Sequence, residues 1–115
     1  MTTSAEIAVE RRGDVMVARL SGEVDMSNSS YVGEELTRAV PNDARALVVD
    51  LSDARYLDSA AIELLFGLAR RLGRRRQALR LVLPPESPLR RVLVLTDIQT
   101  AAPLHETLEE ALSAG

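Results

Sequence analysis

At 115 residues, with 46% apolar content and a formal net charge of −3, the chain suits one domain with one core, spanning residues 1–115. The acidic balance gives no footing for nucleic-acid binding, the lack of cysteine excludes disulfides and thiolate metal sites, and a single histidine, His105, argues against zinc. No apolar run reaches membrane-spanning length, and the chain does not open on a basic segment followed by an apolar one, so a cytoplasmic domain without membrane insertion is expected.

In chain order, alternation of Ile7 and Val9 with Ala8 and Glu10 predicts a strand over Glu6 to Arg11. Arg12-Gly13 reads as a tight turn, and Val15 to Leu20 as the returning strand. A polar loop follows from Gly22 to Asn28, and Ser27, Asn28 or Ser29 can cap a helix running to about Val40 with Val32, Leu36 and Ala39 on one face. Pro41-Asn42-Asp43 stops it. Leu47 to Leu51 is apolar throughout, as in a strand covered on both faces. A short acidic loop leads to a helix from about Ala60 to Leu72, where Leu65, Leu68, Ala69 and Leu72 form one stripe and Gly73 marks the end. Leu79 to Leu83 is a second buried strand, closed by Pro84-Pro85. It completes a right-handed parallel crossover. Ser87-Pro88 signals a helix start, Ala101 to Leu104 a short edge strand, and Glu106 to Ala114 a last helix with Leu108, Ala111 and Leu112 apolar. The expected architecture is α/β: a mixed sheet of four to five strands with about four helices packed mainly on one face.

The segment Asp50-Leu51-Ser52, a short spacer, Tyr56-Leu57, then Asp58-Ser59-Ala60-Ala61 resembles the signature of the STAS domain, the fold of anti-sigma factor antagonists. That signature runs from an apolar strand through Asp-Leu/Phe-Ser and Tyr/Phe-Leu/Met to Asp-Ser-Ser/Thr-Gly. Leu20-Ser21-Gly22-Glu23-Val24-Asp25 resembles the family's second-strand ending. Ser87 to Leu93 with Leu95 to Ile98, and Leu108 to Leu112, resemble its third helix and its C-terminal helix. The resemblance implies a non-enzymatic interaction module without cofactor. In this role an unphosphorylated antagonist binds an anti-sigma factor, often a serine kinase, and frees a sigma factor. It also places partner contact at Asp25, Asp58, Ser59, Ala60 and Ala61. In the family, the hydroxyl residue that a kinase phosphorylates stands where this chain has Ala60. The alternative is a STAS domain that serves as a structural subunit of a lipid transporter or a signalling scaffold, a role that needs no acceptor.

Other residues bear on chemistry. Asp58 or Ser59 caps the second helix, which suits an exposed anion-tolerant start. Ser59 is the substitute acceptor, but neighbouring helix residues point about 100° apart, and a capping serine turns its oxygen inward. Alanine at 61 in place of the family's glycine adds a methyl group at the partner surface. The acids Asp25, Asp50, Asp53 and Asp58 raise a metal or phospho-aspartate reading. A receiver-type pocket uses lysine, however, and all 14 basic residues here are arginine. No P-loop or dinucleotide glycine pattern is present. Arg70, Arg71, Arg74, Arg75 and Arg76 suit the negative end of the second helix, with an acidic partner as the other use. His105 is assigned no chemistry, and nothing sets an oligomeric state.

Overall fold

The alternating segment at the N-terminus forms a hairpin of β1 (Ala5–Arg12) and β2 (Val15–Val24), antiparallel and in register from Ala5 opposite Gly22 to Arg12 opposite Val15. The computed structural model describes residues 4–114, so both ends of the expected 1–115 domain, residues 1–3 and Gly115, lie outside the described residues. The hairpin turns through Gly13 and Asp14. Gly13 has φ 65°, the positive angle that a two-residue hairpin of the II′ kind demands at its first position.

From β2 the sheet grows in parallel. β3 (Ala46–Asp50) pairs with β2, β5 (Ala78–Val82) with β3, and β6 (Leu104–His105) with β5. Leu47, Val48 and Val49 are fully buried, as a strand covered on both faces requires. A sixth strand lies off this path. β4 (Ala54–Leu57) falls within the expected acidic loop and pairs parallel to the far end of β2, with Glu23 opposite Tyr56 and Val24 opposite Leu57. Its partner is why β2 runs on to Val24, where a loop is expected from Gly22. The register shifts between Gly22 and Glu23. Gly22 holds φ 92°, and a Cβ there would stand 2.3 Å from the Ser4 carbonyl oxygen, so no other residue fits.

Helices α1 (Ser29–Arg38), α2 (Ser59–Arg74) and α3 (Arg90–Leu95) share one core with the sheet, built from Leu20, Val32, Leu36, Leu47, Leu65, Leu72, Leu81 and Leu93 among others. α4 (Leu108–Ser113) covers the opposite face, over Val15, Val17, Ala46, Val48 and Val82. Helices thus lie mainly on one face. α4 opens with a capping box between Thr107 and Glu110, and Arg80 donates from Nη1 to the Ala111 carbonyl at 2.9 Å. Burial pushes the Arg80 guanidinium below its ordinary pKa.

Other expected boundaries move too, among them the edge strand expected over Ala101 to Leu104, which is Leu104–His105. Gly73 does not end α2. The helix continues to Arg74 and closes with Arg76 at φ 60°, where the Arg76 and Gln77 N–H groups donate to the Gly73 and Leu72 carbonyls at 3.0 and 2.8 Å. Ser87 does not cap a helix directly. Its Oγ accepts from the Leu89 N–H at 3.2 Å within a turn that leads into α3.

Candidate functional site

Val24 and Leu57 are paired at the ends of β2 and β4, so the residues that follow them, Asp25 and Asp58, leave the sheet side by side. Asp58 caps α2: Oδ1 accepts from the Ala61 N–H at 3.1 Å. Its other oxygen, Oδ2, accepts from the Met26 N–H at 3.2 Å, and its own N–H donates to the Val24 carbonyl at 3.2 Å. One carboxylate therefore fixes both the helix start and the turn after β2. That turn is set from within as well. Asp25 Oδ1 accepts from the Ser27 N–H at 2.9 Å and Ser27 Oγ at 2.6 Å. The Asn28 side chain accepts from the Asp25 N–H at 3.0 Å and donates to the Glu23 carbonyl at 2.9 Å. Asn28 sits at the cap position of α1 but spends its side chain on this turn instead.

Ser59 is the first residue of α2, exposed, and among the described residues its hydroxyl has no hydrogen-bond partner. The expectation that capping turns it inward is corrected, because Asp58 takes the cap. Ala60 is half-buried and lines a groove of about 670 Å³ between α1 and α2, together with Ser30, Glu34, Glu63, Leu64 and Arg71. Ala61 is 2% exposed and belongs to the core. Its methyl group cannot meet a partner, and its place among the contact residues is withdrawn. In the signature every position looks equally exposed. One helical turn rotates Ala61 inward beside Ile62 and Leu65.

Met26 (81% exposed), Tyr31 (59%) and Tyr56 (49%) are large apolar residues on the surface of the turn, α1 and β4. The motif reading gives none of them a contact role, although Tyr56 is one of its residues. The available signal was that, of only three aromatics, Tyr56 falls within the signature and Tyr31 just after the turn that follows β2. Of the other two aspartates, Asp53 precedes β4 and its carbonyl accepts from the Gly22 N–H at 3.2 Å. Asp50 lies at the end of β3, where Oδ1 accepts from the Ser52 N–H at 3.0 Å and Ser52 Oγ at 2.6 Å and Oδ2 faces Arg19 Nε at 3.7 Å. Among the described residues no three His, Asp or Glu side chains gather as metal ligands would. Of the arginine cluster, Arg71 donates to Thr37 Oγ1 at 3.0 Å, and Arg75 to the Val40 carbonyl at 3.0 Å and Asn42 Oδ1 at 2.9 Å. These two tie the end of α2 to α1 and the loop after it. Arg70, Arg74 and Arg76 are exposed.

The sequence profile of the STAS domain matches residues 6–111. The chain belongs to the STAS domain family. This STAS domain is 27% identical over 111 residues to the anti-sigma-F factor antagonist RsfB of Mycobacterium tuberculosis, covering 96% of the chain and 88% of that protein. It superposes on the crystal structure of an anti-sigma factor antagonist from Mycobacterium paratuberculosis with a TM-score of 0.84 at 30% identity, over 96% of this chain and 92% of that one. The unphosphorylated form of the antagonist SpoIIAA has the same fold, with a TM-score of 0.71 at 20% identity over 93% of each chain. Among the described residues no helix of this STAS domain is long and apolar enough to cross a membrane.

Proposed function

We propose that this STAS domain is an anti-sigma factor antagonist that works by partner switching: it binds an anti-sigma factor, and the sigma factor held by that partner is released. The observation that carries the reading is its likeness, at 30% identity and a TM-score of 0.84 over 96% of the chain, to a protein described as such an antagonist. Residues 1–115 act as one cytoplasmic domain that is not an enzyme and takes no cofactor or nucleic acid. The contact centres on Asp25, Asp58, Ser59 and Ala60. The groove between α1 and α2 and the exposed Met26, Tyr31 and Tyr56 supply apolar area that a partner desolvates. Asp58 holds this surface in shape, so little ordering cost remains at binding.

The partner is a serine kinase of the anti-sigma type, and Ala60 stands at the phospho-acceptor position. A methyl group takes no phosphate, so the domain stays in its binding form. Incubation with the cognate kinase and ATP, followed by intact-mass measurement, leaves the native chain unmodified and adds one phosphate to Ala60→Ser. A full phosphate on the native chain, mapped to the exposed Ser59, would move the acceptor by one residue and restore a switch. Ala60 is also the observation that favours a second reading, a constitutively bound structural subunit of a lipid transporter or signalling scaffold. A pull-down from the native cell separates the two: a kinase-like anti-sigma factor supports the first, and a transporter subunit supports the second.

A further inference from the structure

β1 is the outer strand of the sheet, and among the described residues it pairs with β2 alone. Antiparallel pairs alternate between exchanging both backbone hydrogen bonds and exchanging none. The Glu23 N–H donates to the Ser4 carbonyl at 3.0 Å, while the Gly22 N–H, opposite Ala5, points away to the Asp53 carbonyl at 3.2 Å. Even-numbered residues of β1 therefore bond inward to β2. Ile7, Val9 and Arg11 present their N–H and C=O groups outward along an open edge. The strand is eight residues long, without proline or bulge, and Val9 is 45% exposed at its middle. Such an edge is a template for another strand unless something blocks it.

The charges on this edge do not block it. They select a register. The geometry points to a second copy of this chain as the occupant, with β1 paired antiparallel to β1 about a two-fold axis through Val9, joining two sheets into one. In this register Val9 faces Val9 of the other copy and Ile7 faces Arg11, all of them residues with outward backbone groups. On the other face of the sheet, Glu6 stands opposite Arg12 twice, and Ala8 opposite Glu10. Sliding the strands by two residues sets Glu6 against Glu10 in one direction and Glu10 against Glu10 in the other, and like charges directly opposite are unfavourable. A slide by one residue turns every side chain to the wrong face. Within one chain Arg12 Nε lies 3.3 Å from Glu10, an exposed pair that is readily exchanged for Glu6 of a second copy. None of these residues lines the groove between α1 and α2.

Sedimentation equilibrium of the full chain from micromolar to millimolar concentration tests the pairing. The native chain shows a monomer–dimer equilibrium that weakens with salt. Arg12→Glu sets acids against Glu6 and weakens the dimer at least about tenfold, and Glu6→Arg with Arg12→Glu restores it. Val9→Pro removes an outward N–H that the monomer does not use. It leaves a folded, monomeric protein with an unchanged circular dichroism spectrum. A native chain that stays monomeric at millimolar concentration would overturn the proposal. So would a dimer that survives Val9→Pro, or one in which the double charge reversal behaves like Arg12→Glu alone.

Discussion

Asp58 carries more of the site than any other residue, because its two oxygens answer to two segments at once. Asp58→Ala leaves the Ala61 and Met26 N–H groups without their acceptor, and is expected to cost about 1–2 kcal/mol in urea melts, near the upper range for a lost cap. Asp58→Asn has one acceptor oxygen where two N–H groups converge, and its NH2 cannot serve the second. Its stability should fall between alanine and the native chain. Asparagine and alanine variants of equal stability would mean that the bond to Met26 contributes nothing. The capping role was legible in the sequence, since an acid before an apolar-periodic run is a helix-start signal. The second bond was not, because nothing in the local pattern says that β4 and β2 end side by side. Ala61 is a different case: it stands four residues before Leu65, so the apolar stripe of α2 already points it inward, and the motif reading took it for a surface position against that spacing.

At the scale of elements, the stripe Leu65, Leu68 and Leu72 was readable from spacing alone, and all three are buried beneath α2. Leu65→Ala and Leu68→Ala should each cost roughly 2–5 kcal/mol in urea melts. A melt of Leu65→Ala matching the native chain would contradict the packing of α2 on the sheet. β4 escaped the sequence reading because Ala54-Arg55-Tyr56-Leu57 is short and shows no alternation. It is a strand because the end of β2 needs a partner, which is a tertiary cause that local propensity does not register. The end of α2 was misplaced for the opposite reason. Gly73 carries the usual stop signal, yet the chain puts arginine at the left-handed position three residues later. Arg76→Gly removes the strain of that conformation and is expected to raise stability by about 0.5–1 kcal/mol, with the midpoint of thermal unfolding rising accordingly.

For the whole molecule, the parallel crossover and the hairpin were foreseeable from buried runs and turn residues, and together they bring two loops to one end of the sheet. In the proposed role, the response of a partner to that end depends on charge at residue 60. Ala60 lies in the first turn of α2, where the free N–H groups and the helix dipole favour negative charge. A carboxylate introduced there is therefore tolerated by the domain itself, and Ala60→Glu should melt within about 1 kcal/mol of the native chain. The groove beside it already holds Glu34 and Glu63 with Arg71 as the one cation of its lining, so a partner that fits the native surface meets an added charge it is not shaped to accept. Affinity for the anti-sigma factor should then drop at least tenfold, about 1.4 kcal/mol, with stability unchanged. Calorimetric titration of both proteins against the same partner measures it. Loss of binding together with loss of folding would trace the effect to the domain and not to its surface. Unchanged affinity would move the interface away from α2's start, toward the exposed Arg70, Arg74 and Arg76, and would favour the structural-subunit reading over the switch.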